Sequence, residues 1–515
     1  MRGAVAAGHP VTAAAAEEIL HQGGNAFDAI VAAHFAACVA EPVLATLAGG
    51  GYMLGQQAGQ QPVLYDFFAQ TPGSRETSKP LDFYPIYADF GTVRQEFHIG
   101  LGSVAVPGSV KGMFTIHRDL CSLPMTQLVE PAVRAASKGV VLNHLQASIF
   151  HIVRPIYEAT AAVRANYSSL ANDDRLVEEG DVLVQPELAA AIEAIGREGD
   201  RLFYEGEMAA GIADLCQQSG GYLSRTDLRQ YKVIQRQPLQ VRYRDVVLHT
   251  NPPPSSGGIL IAFALDMLEQ FALKKIEYGS LEYLQLLATV MEQTNAARLD
   301  YLAEQVRGEA THLLDQNYLE KYRAQVAGRA RCQRGTSHIS VVDSAGNTAA
   351  MTVSNGEGCG HLLPGTGIML NNILGEEDLN PNGFHQWQPN QRMTSMMSPA
   401  LLQLPNGTIV ALGSGGSNRI RTAILQVVLN LVDFDMSPEQ AVVAARIHCE
   451  AGHLNIEPGF ARETVAMLQQ EFPDNECWAS LNLFFGGVHT VEWDGGKFHG
   501  VGDPRRGGVG LVVEE

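Results

Sequence analysis

Long apolar runs, paired cysteines and clustered positive charge are all missing from this chain of 515 residues. No run of about 18 or more apolar residues exists, so the sequence offers no membrane-spanning helix. The first residues, MRGAVAAGHPVTAAAAEEIL, lack the basic start, apolar core and cleavage site of a secretory signal, and Glu17-Glu18 interrupts the only candidate. A cytoplasmic protein is the simplest expectation, with a periplasmic or secreted one if a leader has been trimmed. The formal net charge of −19, with no basic stripe, argues against nucleic acid as a partner. Seven cysteines (38, 121, 216, 332, 359, 449 and 477) show neither CxxC pairs nor zinc-like spacing, and are expected to be reduced and buried. HExxH, GxSxG and EF-hand patterns are absent. So are internal repeats, heptads, charge blocks and Pro/Ser-rich linkers, which leaves one large, intimately packed body of strands and helices.

What is present suits such a body: 46% hydrophobic residues for a core and 52 glycines for tight turns and close backbone approaches. Thr12 to Gln22 reads as a helix stopped by Gly23-Gly24, and Asn25 with Asp28 forms a capping box opening a second helix that runs toward Pro42. From Leu44 the text turns to glycine-rich strand, LAGGGYMLG and then PVLYDFF. The middle is mostly helical, with turn signals at Val106 to Ser109 and Asn251 to Gly258. GTIVALGSGGSNRI gives a strand, a glycine turn and a helix opening near Ser417, and Ser437-Pro438-Glu439-Gln440 starts another.

The most pointed stretch is Gly335 to Asn355, GTSHISVVDSAGNTAAMTVSN. His338 to Val342 alternates as a strand, Asp343 to Asn347 supplies a turn, and Thr348 to Val353 returns. Cleavage before Thr336 would place a hydroxyl beside a free α-amine whose unperturbed pKa, roughly 7.7–8.0, suits a general base near neutral pH. One residue would then hold both nucleophile and base. Taken alone, Gly-Thr before a strand is ordinary. The Gly413 to Ile420 loop, GSGGSNRI, has three readings: helix N-terminal amides for a phosphate, an oxyanion hole, or a structural turn. No lysine follows and the spacing is not GxGxxG, which weakens the phosphate reading. His338 and His448 read as core or polar-network residues before ligands, and Gly375 to Asp378 as a solvated loop or a carboxylate site for a substrate ammonium.

These pieces occur together and in one order, and in that order the chain resembles the γ-glutamyltranspeptidases, a family of self-cleaving N-terminal-nucleophile hydrolases. The landmarks span nearly the full length: GGNAFDAIVAA (23–33), LAGGGYML (47–54), AVPGSVKG (105–112), PPPSSGG (252–258), TSHISVVDSAGN (336–347), GIMLNN (367–372), SMMSP (395–399), GSGGSNRI (413–420) and GDPRRGG (502–508). The resemblance implies an α+β fold, a four-layer αββα sandwich of N-terminal-nucleophile hydrolase type. It also implies a precursor cut between Gly335 and Thr336 into a large subunit, 1–335, and a small one, 336–515, intertwined in one body. By the same resemblance Thr336 is the nucleophile, Ser354 supports it, and Gly416, with Ser417 in place of the second glycine, supplies the oxyanion amides. Ser395 contacts the substrate α-carboxylate, with Met396 in place of a second serine, and Glu376 falls where the family holds the α-amine. No metal and no organic cofactor is implied.

The departures gather on the substrate side. The family's arginine-bearing segment after its second central strand reads YDFFAQTPGSRET here, and neither Phe67-Phe68 nor Arg75 matches the arginine that clamps the glutamyl carboxylate. Gly356 stands for an asparagine, Ile373 for an amide, and the connection from Asn372 to Arg392 is shorter than the family's lid-bearing segment. The expected function is hydrolysis of γ-glutamyl amides such as glutathione through an acyl-enzyme, with transfer to water or an amine. The alternatives are a cephalosporin-acylase-like amidase with another acyl group, and an uncleaved, non-enzymatic binding protein. Expected partners are a small acyl amide and the two subunits of one precursor, with a homo-oligomer possible. Because the clamp is unmatched, γ-glutamyl anilide is expected to be a poor substrate, with Arg75 or Arg94 as replacement if it is a good one.

Overall fold

The computed structural model describes residues 1–89, 94–170, 172–306, 314, 336–380 and 383–514. Two antiparallel sheets lie face to face. Their strands, in chain order, are β1 (Gly3–Ala7), β2 (Gly50–Gln56), β3 (Val63–Phe67), β4 (Ile234–Arg236), β5 (Leu239–Tyr243), β6 (Val246–Thr250), β7 (Ser337–Asp343), β8 (Thr348–Ser354), β9 (Ala400–Gln403), β10 (Ile409–Gly415), β11 (Gly487–Trp493), β12 (Phe498–Val501) and β13 (Val509–Val513). The first sheet runs β4-β3-β2-β8-β7-β1-β13 and the second β5-β6-β9-β10-β11-β12. Both sheets hold strands from before and after residue 336, and in the first sheet β1 lies between β7 and β13, so the two parts of the chain share one core.

Helices cover both outer faces. Helices α1 (Pro10–His21) and α2 (Ala26–Ala40) lie on the first sheet, backed by α3 (Met125–Lys138) and α4 (Pro186–Glu198). On the second sheet sit α5 (Gly257–Glu269) and α7 (Arg419–Val432), with α6 (Leu281–Val306) packed against α5. The result is the four-layer αββα sandwich. Helix α2 is buried along its whole length; alanine on most of its turns lets it lie between sheet and α3 without bulky side chains holding them apart. Its capping box at Asn25 and Asp28 is formed, and such a cap is worth about 1 kcal/mol. Helix α1 starts earlier than its sequence suggests because the His9 ring accepts the Val11 amide and Pro10 takes the first helical position, where its missing N–H costs nothing. Helix α7 begins at Arg419 instead of Ser417, because Gly416 and Ser417 both have positive φ, +124° and +54°, outside helical backbone.

The hairpin of β7 and β8 pairs from Ser337 with Val353 to Val342 with Thr348. Asp343 closes it: Oδ1 accepts the Ala345 and Asn347 amides at 2.9 and 3.0 Å, and Oδ2 accepts Ala26 N–H at 2.9 Å. One carboxylate therefore fixes the turn and the start of α2 together. Ile339 and Val341 point to the helices, whereas His338, Ser340 and Thr352 form a polar seam between the sheets. The six described cysteines are free thiols; Cys332 lies outside the described residues. No helix among those residues is long and apolar enough to cross a membrane.

Candidate active site

Thr336 stands one residue before β7, and Ser354 ends β8, one step beyond the Ser337–Val353 pair. Thr336 is only 5% exposed. Its carbonyl oxygen accepts a hydrogen bond from Arg506 Nη1 at 3.0 Å. The next residue is held from the opposite side: Ser337 Oγ donates to Glu41 Oε2 at 2.8 Å, and Thr12 Oγ1 to Glu41 Oε1 at 2.8 Å. Burial raises the Glu41 carboxyl, against the Thr12 and Ser337 hydrogen bonds and the Arg506 charge. Burial, with Arg419 nearby, lowers the Arg506 guanidinium to about 10. Thus a cation and a carboxylate flank the backbone at the strand's leading edge.

Each glycine of the 413–416 loop has its own physical reason. A Cβ on Gly413 would enter the His338 ring, and one on Gly415 would fall on the Thr336 carbonyl oxygen. Gly416 needs its φ of +124°. The Gly416 and Ser417 carbonyls accept the Arg419 and Ile420 amides at 3.1 and 3.0 Å, while their own amides donate to no backbone carbonyl among the described residues. They are the unclaimed donors that a helix start leaves over. His338 Nδ1 lies 2.7 Å from Thr352 Oγ1 and Nε2 lies 2.9 Å from Ser340 Oγ. Burial, then the neighbouring His489, pushes its pKa well below the ordinary value, so the ring stays neutral. His448 is likewise interior, between Thr422 Oγ1 at 3.0 Å and Glu450 Oε2 at 3.2 Å. Both histidines belong to polar networks.

Arg506 is placed by the GDPRRGG turn. Asp503 Oδ2 accepts Arg446 Nη2 at 2.7 Å and Val488 N–H at 2.8 Å, and Arg505 Nε and Nη2 reach Glu457 at 2.8 and 2.5 Å. These buried pairs clamp the turn so that the next residue projects to Thr336. Neither Arg506 nor Glu41 stands out in the sequence: they lie 170 and 295 residues from Thr336, and only the pairing of β7 with β1 and its neighbours unites them.

A cavity of about 450 Å³, part of it open to solvent, is lined by Thr336, Ser354, Glu376, Ser395, Met396 and Ser417. Six residues singled out in the sequence are thereby brought together. Gly416 adjoins it through Ser417; Gly335 lies outside the described residues. Ser354 Oγ accepts the Gly356 amide at 3.1 Å. Ser395 is tied to the PPPSSGG turn, its carbonyl accepting Ser255 Oγ at 2.8 Å and Ser256 N–H at 2.9 Å. Glu376, in what the sequence offers as a solvated loop, is 4% exposed and faces the cavity.

Other lining residues give no signal of this role in the sequence. Phe68 forms one wall, stacked on Tyr52 at 5.6 Å, and Asp378 lies two residues past Glu376. The departures from the family text have local causes. Gly356 has φ +65° and no room for a side chain beside Asn372 and Glu376, and Ile373 is wholly buried in the core. Arg75 is not in the wall; its Nη1 donates to the His385 carbonyl at 3.0 Å. Arg392 is engaged beneath Phe68 by Asp66, Tyr231 and the Phe68 and Lys232 carbonyls. The Arg94 side chain lies outside the described residues. Among the described residues no Lys, Arg or His lines the cavity, and no three His, Cys, Asp or Glu side chains gather as metal ligands would.

Comparison with known proteins bears on the family and the fold. Residues 12–513 match the sequence profile of the family described as Gamma-glutamyltranspeptidase. A glutathione hydrolase proenzyme of Pseudomonas aeruginosa is 30% identical over 548 residues, covering 99% of this chain and 95% of that protein. An acylase ACY 1 proenzyme of Pseudomonas sp. (strain V22) is 30% identical over 485 residues, covering 88% and 84%. The crystal structure of cephalosporin acylase from Bacillus halodurans superposes with a TM-score of 0.83 at 22% identity, covering 100% of this chain and 96% of that one, which shows a common fold. With its profile match over residues 12–513 and its αββα layers, the chain belongs to the γ-glutamyltranspeptidase family of N-terminal-nucleophile hydrolases.

Proposed function

We propose that this chain is the precursor of an N-terminal-threonine amidohydrolase that cuts itself between Gly335 and Thr336 into subunits of residues 1–335 and 336–515. The observation that carries the reading is the meeting of Thr336, at the leading edge of β7, with the unclaimed amides of Gly416 and Ser417 at the mouth of one cavity. In processing, Thr336 Oγ attacks the Gly335 carbonyl. The C–N bond breaks, an ester forms, and the proton passes from the hydroxyl to the freed α-amine. Water then hydrolyses the ester, leaving a carboxylate on residue 335 and the hydroxyl on Thr336.

In turnover the α-amine accepts the Oγ proton as Oγ attacks a substrate amide. The negative charge that develops on the carbonyl oxygen is met by the Gly416 and Ser417 amides, donors fixed before the charge appears. Collapse expels the amine with the proton and leaves an acyl ester on Thr336. Water, or an acceptor amine, releases the acyl group by the same steps in reverse. Arg506 and Glu41 keep residues 336 and 337 in register with the loop, and Ser354 supports the nucleophile. Glu376 and Ser395 orient the acyl group, with Met396 beside them.

A γ-glutamyl amide such as glutathione is the first substrate class, in line with the glutathione hydrolase relative. An amide with a different acyl group is the second, favoured by Phe68 in the cavity wall. The test is a denaturing gel with sequencing of the small fragment. The parent is expected as two bands, the smaller starting Thr-Ser-His, and Thr336→Ala as one uncut chain near 55.5 kDa without amidase activity. Any other start, or an active alanine variant, overturns the assignment.

A further inference from the structure

Resting on the reading of Thr336 as nucleophile and base, we propose that Arg506 tunes that base: its charge, held against the Thr336 carbonyl, keeps the freed α-amine unprotonated to lower pH than an ordinary chain terminus. An unperturbed α-amine has a pKa of roughly 7.7–8.0, so near neutral pH most of it is protonated and cannot take the Oγ proton. A like charge close by weakens proton binding. Arg506 acts through Thr336 and is a positioning residue whose charge, beyond its hydrogen bond, matters to turnover.

The guanidinium is fixed where it can act. Nη1 donates to the Thr336 carbonyl oxygen at 3.0 Å and Nη2 to the Leu483 carbonyl at 3.5 Å, both neutral acceptors, and Nε has no partner among the described residues. A Cβ on Gly415 or Gly416 would lie 3.0 or 3.3 Å from its terminal nitrogens, and one on Gly487 would lie 2.5 Å from its Cδ, so the side chain has no room to swing away. The nitrogen and carbonyl oxygen of one residue are at most roughly 3.6 Å apart, which puts Nη1 within roughly 7 Å of the Thr336 α-nitrogen. With its own pKa lowered only to about 10, Arg506 stays charged through the neutral range.

The other titratable groups around residue 336 come from several elements. Asp503, on the turn that carries Arg506, is paired with Arg446 and Arg505. His338 and His489, in the seam between the sheets, are kept neutral by burial. Arg419, in the first turn of α7, adds to the positive side. Glu41, just past α2, accepts the Thr12 and Ser337 hydroxyls, and burial favours its neutral form, which weakens it as a counterweight. In the cavity wall, Glu376 and Asp378 act against Arg506. Both remain in place when Arg506 alone is changed, so a substitution there isolates the guanidinium.

The experiment is the pH profile of kcat/KM on processed parent, Arg506→Lys and Arg506→Gln, with the fastest of the γ-glutamyl, glutaryl and butanoyl anilides used throughout. The acid limb of that profile reports the base of the free enzyme. In the parent it is expected about one to two pH units below 7.7. Arg506→Gln keeps a donor for the Thr336 carbonyl but no charge, and its limb should rise by about one unit, so that at about pH 6.5 it retains roughly tenfold less of its plateau rate than the parent does. Arg506→Lys keeps the charge and should keep the parent limb. If Arg506 only held the carbonyl in place, either variant would lower the plateau and leave the limb where it was. A parent limb at or above about 7.7, a Gln limb unmoved, or a Lys limb displaced as far as the Gln limb overturns the proposal while the amidohydrolase reading stands. Self-cleavage precedes the free amine, so the variants should still give two bands, more slowly. Should Arg506→Gln stay uncut, Arg506→Met takes its place, and if both neutral variants stay uncut Arg506 is a residue of the fold and the proposal falls. A parent that stays uncut and inactive overturns both readings.

Discussion

The floor of the cavity and its wall are built in different ways. The floor is strand edge: Thr336, Ser354 and the 413–416 loop sit where β7, β8 and β10 converge, and their positions follow from sheet register and from glycines that leave no slack between the sheets. The wall is loop. Glu376, Asp378, Ser395 and Met396 come from irregular segments, pinned by hydrogen bonds such as those from Ser255 and Ser256 to the Ser395 carbonyl. A floor fixed by register tolerates no change in backbone position, whereas a loop wall accepts new side chains without disturbing the sheets. That contrast makes the wall, where Met396 stands in SMMSP, the place where a new side chain costs least.

The largest expected effect, after loss of the Thr336 hydroxyl itself, tests the rigidity of the floor. Gly415→Ala adds one methyl where the Thr336 carbonyl oxygen lies, with Arg506 on the far side. The threonine must shift, and a misplacement of about 1 Å can cost 10²-fold in rate. Self-cleavage should slow by at least about that factor, measured as the half-time of two-band formation. A variant that processes as fast as the parent would show that the sheets yield and that the contrast with the wall is unfounded.

The legible parts of this molecule are those governed by local chemistry. The Asn25–Asp28 and Ser437–Gln440 capping boxes and the Asp343 turn each depend on residues a few positions apart, and all three form in the fold. The floor is legible too, because a Gly-Thr step before a strand and a glycine loop before a helix are compact patterns. Glu41 and Arg506 are not, since an ordinary helix-end glutamate and a turn arginine acquire meaning only through contacts across most of the chain. Phe68 reads as strand text with an arginine missing; that it fills the wall depends on Tyr52 behind it. Asp378 shows in the sequence only as part of an acidic run, because burial of one side of a short turn leaves no periodicity to read.

A smaller effect separates floor from wall by acid. Burial lowers His34 and His489, on the floor's supporting layers, to about 4, and lowers His338 well below its ordinary value; in the wall's surroundings burial also lowers His98 and His385. Between the folded pKa and the unfolded value of 6.5 the unfolded chain binds more protons. The stability these rings contribute is therefore present above pH about 6.5 and lost as pH falls toward about 4, each tenfold weakening of proton binding being worth about 1.4 kcal/mol at most. Glu41, raised by burial, works in the opposite sense: its contribution is present below about 4.5 and lost as pH rises. Melting temperature should drop between pH about 6.5 and 4.5, before the carboxylates Glu450 and Asp503, held low by their cationic neighbours despite burial, begin to protonate. A flat profile across that window would mean the histidine seam opens enough to hydrate its rings.

The smallest expected effect concerns Arg75, the most accessible candidate for a replacement clamp. Its guanidinium donates to the His385 carbonyl at 3.0 Å and lies 5.9 Å from the Trp387 ring, on the exposed side of the 383–391 segment, and it does not line the cavity. An exposed hydrogen bond and a solvated cation–π contact together contribute about 0.5–1 kcal/mol to holding that segment. Arg75→Ala should change kcat/KM for γ-glutamyl and butanoyl anilides by the same small factor, below about threefold, because it alters the segment and not the acyl contacts. Parallel changes would leave the wall without a cation from this quarter. A selective loss of γ-glutamyl turnover, with butanoyl untouched, would mean that Arg75 swings inward when substrate binds, and the wall would then have kept the family's clamp by a different route.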